Sequence, residues 1–151
     1  MILKRIALLA VLFAGGTAYA QTPPPALSGT ISPVEAIAGA AASRGIGKTG
    51  RFGMLVRATG ISKGHVFLNS EADYHDPKNL SIDIDPLAAK RLERQLGSPP
   101  DQYYKGKWIV VHGTARRVLI VFNDDHGRPL GKGYYQTHVP VRLPSQITVV
   151  R

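Results

Sequence analysis

The chain has 151 residues, the size of one ordinary domain, and 19 Lys and Arg against 10 Asp and Glu give it a formal charge of +9. It has no cysteine, which excludes a disulfide framework, a thiolate zinc cluster and a lipid-modified N-terminal cysteine. The positive excess points to polyanions (nucleic acid, anionic lipid head groups or acidic glycans) or to solubility alone.

The N-terminus reads "MILKRIALLAVLFAGGTAYA". Lys4 and Arg5 form a basic region, Ile6 to Ala14 an apolar one, and Ala18-Tyr19-Ala20 a small-x-small cleavage site. That order predicts a signal peptide over 1–20, cleaved after Ala20, and a periplasmic or secreted product. The apolar run is shorter than the ~20 residues a membrane span needs, so no span is expected. Losing Lys4 and Arg5 leaves 17 basic and 10 acidic residues, about +7. The remaining chain is long enough to fold on its own core.

Residues 21–31, "QTPPPALSGTI", predict an extended proline-rich linker. The domain is expected over 32–151. "SPVE" at 32–35 announces a helix: Ser32 caps it, Pro33 suits the first turn, and Glu35 completes a capping box. The helix should end near Ser43-Arg44-Gly45.

The period then changes to two. Phe52, Met54, Val56 and Ala58 share one face of a strand, with Arg51, Leu55 and Arg57 on the other. "SKGH" at 62–65 predicts a turn into a second strand, "VFLN", at 66–69. After loop material at 70–79, "LSIDID" at 80–85 alternates with Leu80, Ile82 and Ile84 inward and Asp83 and Asp85 outward. Pro86 opens a helix over 87–96, with Asp85 as cap and Leu87, Leu92 and Leu96 as its apolar stripe.

"GKWIVVHGTARRVLIVF" at 106–122 predicts a long core strand, Trp108 buried, with Gly113 marking a bulge or bend. "NDDHGRPLGKG" at 123–133 reads as a long turn, and the final strand is interrupted by Pro140 and Pro144. The expected fold is mainly β, with five strands, a helix between strands three and four, and a short N-terminal helix. That is the ordering of a small closed Greek-key barrel.

On these features the chain resembles the OB-fold, and within it a group of small bacterial exported modules. The likeness rests on "SPVEA" before a Gly-Lys-led first strand, "GHVFLN", "YKGKWIVVHGT" and the closing "PSQITVV", and spans residues 32–150. It implies a five-stranded OB-fold barrel. Relatives of this kind bind nucleic acid, accompany secreted nucleases, or have no assigned role, so fold does not carry function with it.

Catalysis finds little support. His65, His75, His112, His126 and His138 stand singly, without the spacing of a helical metal site. "DYHD" at 73–76 and "NDDH" at 123–126 concentrate carboxylate and imidazole, and read first as turn chemistry. "GIGKTG" at 45–50 lacks the phosphate-loop spacing. No cofactor or metal is expected. Asp83, Asp85 and Arg57 are the residues from which a minimal nuclease site would be built.

Binding is the stronger expectation. OB-folds hold ligands across strands two and three, between the loops joining strands one–two and four–five. Those loops carry Lys63 and His65, then Arg128 and Lys132, with Tyr134 and Tyr135 just beyond. Phe67 and Tyr74 extend a stacking surface, and Arg57 and Arg117 a basic one. Rings beside cations suit single-stranded DNA or RNA, or another polyanion. The alternative is a periplasmic module for a partner protein or small ligand, with stress-related duty and no nucleic-acid role.

Overall fold

The computed structural model describes Pro24 and residues 27–150. The signal peptide expected at 1–20 lies outside the described residues. Over Leu27–Ile31 the expected linker is instead packed. Ile31 bridges Phe52 in parallel, donating its N–H to Arg51 O at 2.7 Å and accepting from Gly53 N at 3.0 Å. Its Cδ1 lies 2.5 Å from where a side chain on Gly50 would begin, so the glycine lets Ile31 settle on the strand.

Helix α1 (Pro33–Ala42) starts as its capping box predicts. Ser32 accepts from Glu35 N, and Glu35 Oε2 accepts from Ser32 N at 2.8 Å. Ser43 ends it, and Arg44 and Gly45 follow with φ of 52° and 91°. The strands are β1 (Lys48–Leu55), β2 (Ala58–Ser62), β3 (His65–Asn69), β4 (Leu80–Ile84), β5 (Trp108–Asn123), β6 (Pro129–Val141) and β7 (Ile147–Val149). Between β4 and β5 lie α2 (Pro86–Leu96) and α3 (Pro100–Tyr104).

The protein is mainly β, with one seven-stranded sheet in the order β1-β5-β6-β4-β3-β2 and β7 on β5. Every ladder is antiparallel except β4–β6. Seven strands stand where five were expected because two expected strands are divided. The last is broken by a 3-10 turn at Pro144–Gln146. The first is divided at Val56-Arg57, where consecutive residues change partner: Val56 N donates to Lys107 O and Arg57 N to Asn69 O, both at 2.9 Å. No ladder joins β1 to β2, so the sheet is open between them.

One core lies inside the sheet. Phe52, Met54 and Val56 from the first segment meet Leu68, Leu80, Ile82, Ile84, Ile109, Val111, Val139 and Val141, all essentially fully buried. Each such side chain contributes about 1.5–3 kcal/mol of transfer free energy. Ala88, Ala89 and Leu92 seat α2 on this core. Leu87, expected on that stripe, is exposed because it falls on the other side of the helix from those three. Asp85 caps α2 by accepting from Ala88 N at 2.7 Å. Tyr104 is buried edge-on to Tyr103, where α3 returns to the sheet, and burial pushes its phenol up to about 12.

Three further expectations for the second half need correction. Gly113 makes no bulge: β5 stays in register with β1 through Gly50↔Gly113, and the irregularity falls at Val121/Asn123. Gly113 is needed for space, since a Cβ there would lie 2.7 Å from Val139 Cγ1. Trp108 is half-buried, not fully. Residues 123–133 are not one long turn. β5 and β6 continue as a two-stranded arm closed by 124–128, where Asp124 accepts from His126 N and Arg128 N. Pro140 stands beyond the last β5–β6 pair, Arg116↔His138.

Candidate functional site

A groove of about 480 Å³ crosses the outer face of β2, β3, β4 and the base of the arm. Its shape follows from register. On β3, His65, Phe67 and Asn69 share the outer face, opposite Ser62, Gly60 and Ala58 of β2. Ser81 and Asp83 continue that face on β4, and Ser81 is paired with His138 of β6. Alternation along β6 then adds Gln136 and Tyr134. Gly60, opposite Phe67, has no atom within 4 Å of a Cβ built on it, so the β2 side is left open.

The walls are aromatic. Tyr134 stacks on Phe122 at 5.6 Å, and His75 connects Tyr134 to Tyr74. Phe67 lies between His65 at 6.1 Å and His138 at 5.8 Å. Burial lifts the Tyr134 phenol above its ordinary value, with Tyr74 adding to the effect.

The floor is a hydrogen-bonded polar layer, and fixed backbone groups set its orientation. Glu71 N–H must donate, so it places Asn79 Oδ1, and Asn79 Nδ2 then donates to Asn69 Oδ1 at 3.1 Å and Ser81 Oγ at 3.0 Å. Ser81 donates to the same Asn69 oxygen at 2.7 Å. On the other side Gln136 Nε2 donates to Tyr74 O and to Tyr134 Oη. Its Oε1 therefore accepts from His138 Nε2 at 2.8 Å. Burial holds His138 below its ordinary pKa, with the opposing pull of Asp83, 4.0 Å from its Nδ1, coming second. Asp83 also meets His65 Nδ1 at 2.6 Å.

The expected binding residues separate into two sets. Phe67, Tyr74 and Tyr134 line the groove, with His65 beside Phe67. Lys63 takes a left-handed backbone in the tight turn before His65, and Lys132 is exposed two residues before Tyr134. The others lie elsewhere. Arg57 borders a different depression, with Trp108 and Glu71. Tyr135 and Arg117 face away from the groove, the guanidinium 3.9 Å over the ring, because neighbours on a strand point to opposite sides. Arg128 pairs with Asp124 at 2.7 Å near the arm's tip.

The acidic nuclease set does not assemble either: Asp83 faces His65, Asp85 caps α2, and Arg57 is in the other depression. Among the described residues no three His, Cys, Asp or Glu side chains form a metal-binding group. Asp73 and Asp76 serve turns, accepting from His75 N and Lys78 N. Sequence reasoning missed Asn69, Asn79, Ser81, Gln136 and His138. The alternation Tyr134-x-Gln136-x-His138 was the available signal for two of them.

No family model and no curated protein matches the chain. Among solved structures it is similar to a chain described as an aspartyl-tRNA synthetase from Leishmania major Friedlin, at 12% identity and a TM-score of 0.44. The match covers 93% of this chain and 23% of that one. A likeness at that level decides neither fold nor function. Among the described residues no helix is long and apolar enough to cross a membrane.

Proposed function

We propose that residues 32–150, exported under the leader at 1–20, form an OB-like barrel that binds unpaired bases of single-stranded nucleic acid without catalysing a reaction. In this reading β1 and β2 are halves of one bent strand, and their partner exchange at Val56-Arg57 joins the two ends of the sheet. The order becomes 1-2-3-5-4-1 around a cylinder, with strands three and five parallel. Splitting a barrel strand at a corner accounts for one of the two added strands.

The observation that carries the binding reading is the open groove walled by Phe67, Tyr74 and Tyr134. Ring faces accept any base, each stack being worth about 1–3 kcal/mol, while Lys63 and Lys132 flank the rim for phosphates. A labelled oligonucleotide tests it by fluorescence anisotropy. Two phosphate contacts give a log–log salt slope of about −1.4, and Tyr134→Ala weakens binding by about 5-fold or more. Unchanged anisotropy at low salt removes this reading.

One observation favours a second. Among the described residues none that lines the groove is Lys or Arg, which suits a small planar ligand bound within the groove. Binding of a free nucleoside, independent of salt and as tight as that of the oligomer, would select it.

A further inference from the structure

The aromatic walls do not choose among bases, but the floor contains one group that does. Asn69 is 5% exposed and lines the groove. Its Oδ1 is fully engaged by Asn79 Nδ2 and Ser81 Oγ. The assignment leaves no freedom to flip, because Glu71 N–H fixes Asn79 and Asn79 in turn fixes Asn69. The Nδ2 group is left over. Among the described residues it has no hydrogen-bond partner, and it is not among the atoms sealed from solvent. Asn69 lines the groove, so this fixed amide nitrogen is the donor it can offer to a ligand there. A base entering the groove displaces the solvent that meets its N–H bonds, so a base that supplies an acceptor there is favoured over one that leaves the donor unpaired.

Resting on the nucleic-acid reading above, we propose that Asn69 Nδ2 is the specificity-determining group of this groove and selects a base that presents a carbonyl oxygen. A carbonyl projects about 1.23 Å beyond the ring, so it reaches the floor while the ring stays against Phe67. Adenine alone of the four DNA bases has no carbonyl. Its acceptors are ring nitrogens set back from the edge, and its amino group would meet Nδ2 donor to donor. The groove therefore prefers thymine or uracil to adenine. Neighbouring Ser81 Oγ spends its one proton on Asn69, so it offers a base no second donor and Asn69 Nδ2 is the donor of this floor.

The test compares labelled oligothymidine and oligodeoxyadenosine of equal length by anisotropy at low salt, with wild type and Asn69→Asp. Aspartate keeps both acceptor contacts to Asn79 and Ser81 but turns the groove-facing donor into an acceptor. The expected result is a wild-type preference for oligothymidine of about 5-fold, the worth of one added hydrogen bond, that is lost or inverted in Asn69→Asp. Equal binding of the two oligomers by wild type overturns the inference and leaves the groove reading standing, as does a preference that survives in folded Asn69→Asp. Binding of neither oligomer overturns the reading and the inference together. If Asn69→Asp does not fold, Asn69→Leu replaces it. That change keeps the side chain's volume and removes the donor, and an undiminished preference in the folded variant would count against the inference.

Discussion

Gly60→Val separates the groove from the fold. Gly60 is opposite Phe67 on the outer face, and a Cβ built there meets no heavy atom within 4 Å. The substitution therefore adds volume to the groove and none to the core. Valine suits a strand better than glycine by up to ~1 kcal/mol, and the unfolded chain loses freedom worth a further ~0.4–1 kcal/mol, so melting should rise or stay level. Cross-strand Cβ atoms on one face stand about 5 Å apart, so the new methyls occupy the space a base would need over the Phe67 ring. Losing one stacked base costs about 1–3 kcal/mol, which raises Kd about 5- to 150-fold. Thermal unfolding and oligonucleotide anisotropy on the same preparation measure both quantities. A variant that melts like wild type and binds like wild type would refute the placement of ligand in this groove.

Gly113→Ala should act in the opposite way. Its Cβ meets Val139 Cγ1 at 2.7 Å inside the core, and overpacking of this kind costs about 1–3 kcal/mol, read as a lower melting midpoint. Asp85→Ala removes the acceptor for Ala88 N and should cost about 1 kcal/mol in urea unfolding, with Asp85→Asn recovering most of it. His138 gives a pH signature. Its folded pKa lies below the ordinary imidazole value of about 6.5 because of burial, so on acidification the unfolded chain takes up the proton first. The stability it contributes is whole above about pH 6.5 and is lost as pH falls through the depressed folded value. Urea titrations of wild type and His138→Gln across that range should diverge at the acid end, and parallel curves would contradict the assignment.

Local rules made much of this molecule readable. Ser32 and Glu35 marked the start of α1, Asp85 the start of α2, and strict alternation the inward side of β4. What was not readable depended on contacts distant in sequence. Nothing local to Val56-Arg57 announces that adjacent amides will pair with Lys107 and Asn69. Gly131 and Gly133 read as loop, yet the ladder holds them in β6. The site was half legible for the same reason. Phe67, Tyr74 and Tyr134 could be suspected from residue type, whereas Arg57, Arg117 and Tyr135 required knowledge of facing. The floor escaped because Asn69, Asn79 and Ser81 look like ordinary turn and strand polar residues until pairing brings them together.

Tyr74 carries a consequence of its own. Its ring forms part of one wall, while its carbonyl accepts from Gln136 Nε2 at 3.1 Å at the base. The wall is thus fastened before any guest arrives, and little chain entropy remains to be surrendered on capture. A rigid receptacle of this type discriminates by fit, and its complexes should differ chiefly in how long they last, not in how fast they form.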